Sequence, residues 1–354
     1  MAERVSADVA VVGATGLVGA ELLQVLAQRG HADGPAGGRV AAFARGGGDR
    51  NVPCGARALP CRDPDHLLAE AAPGMLVFLA VGAEVARALA PPLLARGARV
   101  VDTSSAFRAD PDVPLCVPEV HGMALQTDPP ALLASPNCSA TLLVVALEPL
   151  RRAFGLAHVA VATYQAVSGA GRAAVDELRR QTRLLLDGGD AAPAATWPHA
   201  CAFNVFPHES PLDAVGDCEE ERKIVAEARR IWGLPDLPID ATCARVPVLR
   251  AHSQAVTVTL GGAADLDAVR RCLAGAPGLR LVDDPARATA AQATGIDEVL
   301  VARVRHAASE RALPPAERRR VMLWLCGDQL RKGASLNAVQ VAEAAGWLPP
   351  RAPA

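Results

Sequence analysis

The stretch DVAVVGATGLVG, Asp8 to Gly19, decides the fold of this chain. A short apolar run of strand length (8–12) meets a glycine turn, and an amphipathic pattern follows to about Arg29. Strand, glycine turn and helix in that order leave backbone N–H groups free at a helix start, where a pyrophosphate binds. Glycines also serve plain helix–strand packing, so the neighbouring elements must arbitrate. Residues 39–45 read as a second strand, and 75–81 and 99–102 as further parallel strands separated by the helical stretch 85–96. That alternation predicts an open, doubly wound α/β sheet. An NAD site usually ends its second strand on Asp or Glu; here Arg45 stands before Gly46, Gly47 and Gly48. An arginine there pairs with a 2′-phosphate, which makes NADP the expected cofactor, with a solvated loop arginine as the plain alternative.

Composition sets the outer bounds. The chain has 354 residues, 51% hydrophobic and 21% charged, with a net charge of −2. This excludes a disordered chain and a basic nucleic-acid-binding surface. No apolar run approaches the ~18 residues of a membrane span, and no basic stretch leads into an apolar one at the N-terminus. A cytoplasmic protein is expected. The nine cysteines are scattered without zinc-like spacing, so reduced thiols and no metal are expected. Of the 36 Lys and Arg residues only Lys223 and Lys332 are lysine. In a chain that uses arginine wherever it serves, a retained lysine points to chemistry.

The second half carries candidate chemistry. SPNCSAT (135–141) precedes an apolar helix pattern over 142–154. Cys138 falls near the helix N-terminus, where the dipole favours a thiolate; the ordinary fate of a free cysteine is a small buried hydrophobe. Residues 159–166 read as a strand, with Gln165 near its end to orient a carbonyl or satisfy a turn. A helix is expected over 217–232, capped by Asp217 with Glu220 as its capping-box partner. Glu219 and Lys223 form an i,i+4 pair, and Glu220 and Lys223 share a face. In one continuous strand Arg245 and His252 would point to opposite faces; Pro247 interrupts that strand and allows a bend that unites them. A lone histidine is ordinarily structural, but with a helix-start cysteine in a nucleotide-binding chain it becomes an acid/base candidate.

The stretches VVGATGLVG, VVDTSSAFR, SPNCSAT, TYQAVSGAG, AFNVFPH, EEERKI, ARVPVLRAHS and LRKGASLNAVQVAE, in this order, resemble the aspartate-semialdehyde dehydrogenase family over nearly the whole length. The resemblance implies an α/β plus α+β chain of glyceraldehyde-3-phosphate-dehydrogenase-like architecture. A Rossmann-type NADP-binding domain (1–134 and 332–354) would be completed by the helix around 337–345. A catalytic domain (135–331) with an antiparallel sheet would form a homodimer interface. The implied reaction is NADP-dependent, reversible reductive dephosphorylation of L-4-aspartyl phosphate to L-aspartate 4-semialdehyde, in biosynthesis of the aspartate-family amino acids.

Roles follow by motif. Cys138 would be the nucleophile, His252 the acid/base, and Gln165 would orient the acyl group. Arg245 would grip the α-carboxylate and Glu220 the α-ammonium, while Arg108, Lys223 and Asn137 would serve the phosphate. Cofactor contacts are implied for Gly13, Thr15, Gly16, Leu17, Val18, Arg45, Gly82, Ser168, Gly169 and Gln329. The chain departs from the family pattern at Thr103, at Gly46, over 209–216, and at the Cys326–Gln329 stretch. A reductase of N-acetyl-glutamyl phosphate or of another acyl phosphate is the nearest alternative, and a non-catalytic homologue a more distant one. Glu220 and the P-N-C context of Cys138 argue against the first, and the joint presence of Cys138, Arg245 and His252 against the last.

Overall fold

The computed structural model describes residues 8–32, 39–48, 50–125, 129–190 and 196–350. The chain divides into two units, Met1–Pro136 with Ala334–Ala354, and Asn137–Gly333.

The first unit is built on β1 (Val9–Val12), whose four residues are all buried. A strand apolar on both faces must be covered on both, and helices on the two sides of the sheet supply this. Its other strands are β2 (Val40–Phe43), β3 (Asn51–Cys54), β4 (Arg57–Arg62), β5 (Leu76–Leu79), β6 (Arg99–Asp102) and β7 (Leu132–Ala134), in the order β3-β4-β2-β1-β5-β6-β7. All neighbours are parallel except the β3–β4 hairpin at the edge. That hairpin has no counterpart among the sequence expectations, because Pro53 and Pro60 interrupt its alternation.

Val9 and Val11 pack with Leu22 and Leu26 of the helix Leu17–Gln28 and with Val339 and Ala342 of the helix Leu336–Ala344. Ala10 and Val12 pack on the other face with Ala86, Ala90 and Leu93 of the helix Ala83–Leu94. The doubly wound expectation is met, and the returning C-terminal helix completes this unit. Glu343 ties that helix down, accepting from Arg29 Nε (2.7 Å), Arg29 Nη2 (2.6 Å) and the His31 ring (2.8 Å).

The second unit is a sheet of β8 (Leu156–Gln165), β9 (Phe206–Pro207), β10 (Ile239–Arg245), β11 (His252–Leu260), β12 (Leu279–Leu281), β13 (Val299–His306) and β14 (Arg320–Gly327), ordered β12-β13-β14-β11-β8-β10-β9. It is mixed rather than purely antiparallel: β8 and β10 run parallel, as do β12 and β13. A parallel pair needs a crossover, and the helix Glu219–Trp232 lies in the β8-to-β10 connection.

The helix Cys138–Phe154 begins earlier than its apolar pattern, and residues 139–148 are all buried. Asn137 makes the early start possible by accepting from the N–H groups of Ser139 (2.9 Å) and Ala140 (3.1 Å) as N-cap. The cap expected at Asp217 is corrected. Asp213 Oδ1 accepts from the N–H groups of Val215, Gly216 and Asp217, each at 3.0 Å, and folds 215–217 into a turn. The N-cap is therefore Cys218, and Glu221, not Glu220, reaches back to its N–H at 2.8 Å. The one-residue shift frees Glu220 for another task.

Candidate active site

In the first unit the chain reverses its direction of sheet growth between β1 and β5, the position where open α/β sheets bind ligands. Gly13 ends β1 there with φ +86°, and a Cβ on it would stand 2.1 Å from Ala80 O. Only glycine fits. Gly16 and Gly82 are the N-caps of the two helices that follow β1 and β5, with no side-chain capping bond, so both helix starts present bare N–H groups. Thr15, Leu17 and Val18 are half-buried beside the first of these, and Arg45 is exposed just past the end of β2. Arg108 also belongs to this unit, where it donates to Ser135 O (3.0 Å) and Thr103 O (2.9 Å).

In the second unit three strands end together. Gln165 closes β8, Arg245 closes β10 in register with it, and His252 opens β11 on the other side. Ala166 joins them: its N–H donates to His252 Nδ1 (3.0 Å) and its carbonyl accepts from Arg245 Nη1 (2.9 Å). A methyl on Gly169 would lie 3.2 Å from Arg245 Nη1 and 3.3 Å from His252 Cε1. The bend that unites Arg245 with His252 therefore exists, as a loop that ends on Ala251 at φ +71°.

The helix start completes the cluster. Cys138 is half-buried directly after its cap, and a Cβ on Gly333 would come within 2.9 Å of the Cys138 Cβ. Gln165 Nε2 donates to Ser139 Oγ (2.7 Å) and to Glu220 Oε1 (2.9 Å). Asn137 Nδ2 donates to the same Glu220 oxygen at 2.9 Å. Both ends of the Asn137 side chain are thus engaged, which makes it a holder of the helix that bears Cys138. Lys223 pairs with Glu219 at 2.6 Å, the helix pair that local spacing predicts. Gln329 Oε1 accepts from Ala251 N–H (2.7 Å), and its amide nitrogen bonds Ser168 Oγ.

Two atoms stand out. His252 Nε2 and Gln165 Oε1 are buried without a hydrogen-bond partner among the described residues. A buried polar atom left open is costly unless a ligand meets it. Burial, with Arg245 and then His208 beside it, holds the His252 imidazole well below its ordinary range. Since Nδ1 accepts from a backbone N–H, the neutral ring carries its proton on Nε2.

Sequence reasoning missed Glu227 and Glu209. Glu227 is buried and accepts from Asn137 N–H at 2.5 Å. Its signal was available, since it lies seven residues beyond Glu220 on the same helix face. Glu209 binds Arg245, with Oε1 2.6 Å from Nη2 and Oε2 3.2 Å from Nε.

The first unit is a dinucleotide-type sheet, and the second assembles Cys, Gln, Arg and His, a set suited to thiol-based acyl chemistry. Residues 8–127 match the family model for the semialdehyde dehydrogenase NAD binding domain, and 147–332 the semialdehyde dehydrogenase dimerisation domain. An aspartate-semialdehyde dehydrogenase from Synechocystis sp. is 41% identical over 96% of this chain and 98% of its own length. One from Bacillus subtilis is 36% identical over 95% of this chain and 96% of its own. Aspartate semialdehyde dehydrogenase II from Vibrio cholerae, solved in complex with ASA, superposes with a TM-score of 0.86 at 33% identity, covering 95% of this chain and 97% of that one. The chain belongs to the aspartate-semialdehyde dehydrogenase family. The activity of that family is the reductive dephosphorylation of L-4-aspartyl phosphate to the semialdehyde.

Among the described residues no helix is long and apolar enough to cross a membrane, and no group of His, Cys, Asp and Glu is placed to hold a metal ion.

Proposed function

We propose that this chain works with NADP, as a cytoplasmic homodimer, and that Cys138 carries the acyl group as a thioester. The observation that carries this reading is the pair of open buried atoms, His252 Nε2 and Gln165 Oε1, in the cluster that holds the helix bearing Cys138.

Cys138 Sγ attacks the acyl carbon of the acyl phosphate, and phosphate leaves with the electron pair of the broken C–O bond. The helix dipole favours negative charge at the sulfur before attack. The tetrahedral adduct carries its charge on the former acyl oxygen. His252 Nε2–H is a donor for that oxygen, and it stabilises the charge without transferring the proton. Collapse of each adduct expels phosphate or thiolate directly, so no proton from His252 is consumed. The acid/base role expected from sequence needs an imidazolium, which the Ala166 N–H facing Nδ1 opposes. Gln165 Oε1 is an acceptor, suited to the substrate's ammonium. Arg245 takes the α-carboxylate, with Glu220 beside it for the ammonium. Arg108 and Lys223 are the cations for phosphate.

The glycine cradle at Gly13 and the two bare helix starts fit a dinucleotide. Gly13, Thr15, Gly16, Leu17, Val18 and Gly82 would hold its pyrophosphate end, Arg45 its 2′-phosphate, and Ser168, Gly169 and Gln329 the remainder. When bound, this cofactor supplies the hydride that takes the acyl group to the aldehyde.

The test is phosphate-dependent NADP reduction with L-aspartate 4-semialdehyde, repeated with N-acetylglutamate semialdehyde. Turnover of the first alone is expected; turnover of the second alone, or of neither, refutes the reading. NAD serving as well as NADP would remove the role of Arg45, and a monomer by sedimentation would remove the homodimer. The neutral-donor role predicts that turnover does not fall as the His252 ring passes from imidazolium to neutral, a change that lies well below its ordinary 6.5. A loss of turnover as the ring deprotonates below 6.5 would restore the acid/base role.

A further inference from the structure

Arg245 is the arginine that the reading above gives to the substrate's carboxylate, and that place is taken by a carboxylate of the chain itself. Glu209 makes the two-point contact that a substrate carboxylate would make, on Nε and Nη2 of the guanidinium. The two partners are held very differently. Arg245 is 2% exposed and is also fixed through Ala166 O (2.9 Å) and His208 Nε2 (2.9 Å). The Glu209 carboxylate has no other side-chain partner than Arg245 among the described residues. Its side chain is 27% exposed against 3% for that of Arg245, so it lies on the solvent side of the pair.

The backbone around Glu209 is anchored on either side. His208 N–H donates to Cys243 O (2.9 Å), and Ser210 Oγ accepts from Glu220 N–H (3.1 Å). A rotation about the Glu209 side-chain bonds alone withdraws the carboxylate, while the guanidinium stays in place. Exchange of one carboxylate for another leaves Arg245 neutralised before and after, so no buried charge is stranded. Departure of Glu209 with nothing in its place would strand one, which is why the internal ligand stays until another arrives.

We propose that Glu209 is a resident carboxylate ligand of Arg245, displaced by the carboxylate of the substrate, and that this competition sets the affinity for carboxylated substrates. The inference rests on the reading that Arg245 receives the substrate's carboxylate. It makes Glu209 a specificity-determining residue: a substrate without a carboxylate gains nothing by displacing it, and one with a carboxylate must outcompete it.

The experiment compares the full chain with Glu209→Gln and Glu209→Ala. In Glu209→Gln the KM for L-aspartate 4-semialdehyde should fall about tenfold, the loss of one charge-assisted competitor, while kcat moves much less. A second measurement needs no turnover. L-2-aminobutyrate, which carries the substrate's carboxylate and ammonium on an inert side chain, should protect Cys138 from iodoacetamide at about tenfold lower concentration in either variant. Thermal unfolding identifies a variant that has lost its fold, and the other variant then carries the test.

A KM and a protecting concentration that are unchanged or raised overturn the inference and mark the pair as a fixed structural bridge. If the parent chain turns over no semialdehyde while protection still tightens in the variants, the reaction assignment fails and the Glu209 inference stands. If the parent turns over the semialdehyde and neither quantity falls, the inference alone fails. Absence of both turnover and protection in every form overturns the two together.

Discussion

The two units build their working parts in opposite ways. The first uses one continuous stretch, in which β1 runs into Gly13 and Gly16 and the next helix starts with its backbone N–H groups uncapped by a side chain. The second uses side chains from distant places: Cys138 from a helix start, Gln165, Arg245 and His252 from the ends of β8, β10 and β11, and Glu220 from a further helix. A contiguous backbone feature tolerates almost any side chain that leaves the main chain in shape. A convergent side-chain cluster depends on each chemical type, and on the sheet register that brings the ends together.

The largest predicted effect lies in the second unit. Cys138→Ala should lower turnover by about 10⁴-fold or more, because the variant has no sulfur on which the proposed thioester could form. NADP binding should persist, since every contact given to the first unit is untouched. Retained turnover in a stopped assay, with the variant shown pure by mass, would remove the convergent site from the reaction.

Gly13→Ala is the matching probe of the first unit. The new Cβ would press on Ala80 O at 2.1 Å and force φ +86° on a residue that resists it. A loss of about 3 kcal/mol in urea unfolding is expected, together with NADP affinity. If the variant keeps both, the cradle is not rigid and the contrast between backbone and side-chain sites dissolves.

A smaller effect sharpens the comparison within the second unit. Glu227 holds Asn137 N–H at 2.5 Å and so positions the turn before Cys138. Glu227→Gln should reduce kcat about tenfold, with KM little changed. Removing a buried negative charge near the helix start should also move the pH of half-maximal Cys138 alkylation downward. A merely structural role would lower stability without moving that midpoint.

The contrast also explains what the sequence discloses. The doubly wound sheet was legible because β1, its glycine turn and the following helix are local, and their periodicity needs no partner. Cys138 was legible because Asn137 caps the helix from the adjacent position. The uniting of Arg245 with His252 was half legible: Pro247 marked a break, but only the pairing of β8 with β10 and β11 brings both ends to Ala166. The cap at Cys218 was misread by one residue because Asp213, four residues before Asp217, claims the backbone N–H groups that an Asp217 cap would leave free. Glu209 was visible only as part of an unusual segment, since its contact with Arg245 spans 36 residues and depends on the β9–β10 pairing.

The smallest effect returns to the first unit, where side chains matter for holding the fold rather than for binding. Burial raises the Glu343 carboxyl, but hydrogen bonds from His31 and Arg29, with the Arg29 charge, outweigh it and leave the group below its ordinary value of 4.5. Glu343 and Arg29 are 7% and 11% exposed, so solvent screens the contact little. A carboxyl lowered in the folded state adds stability that is fully present above 4.5 and is lost as the pH falls from 4.5 through the folded value. Glu343→Gln should therefore cost about 1–2 kcal/mol at pH 7, and the two proteins should converge as unfolding is measured at successively lower pH beneath 4.5. A constant gap across that range would mean that packing of the helix Leu336–Ala344, not its charge contact, closes the unit. The returning helix would then be held chiefly by its apolar face, through Val339 and Ala342 against Val9 and Val11.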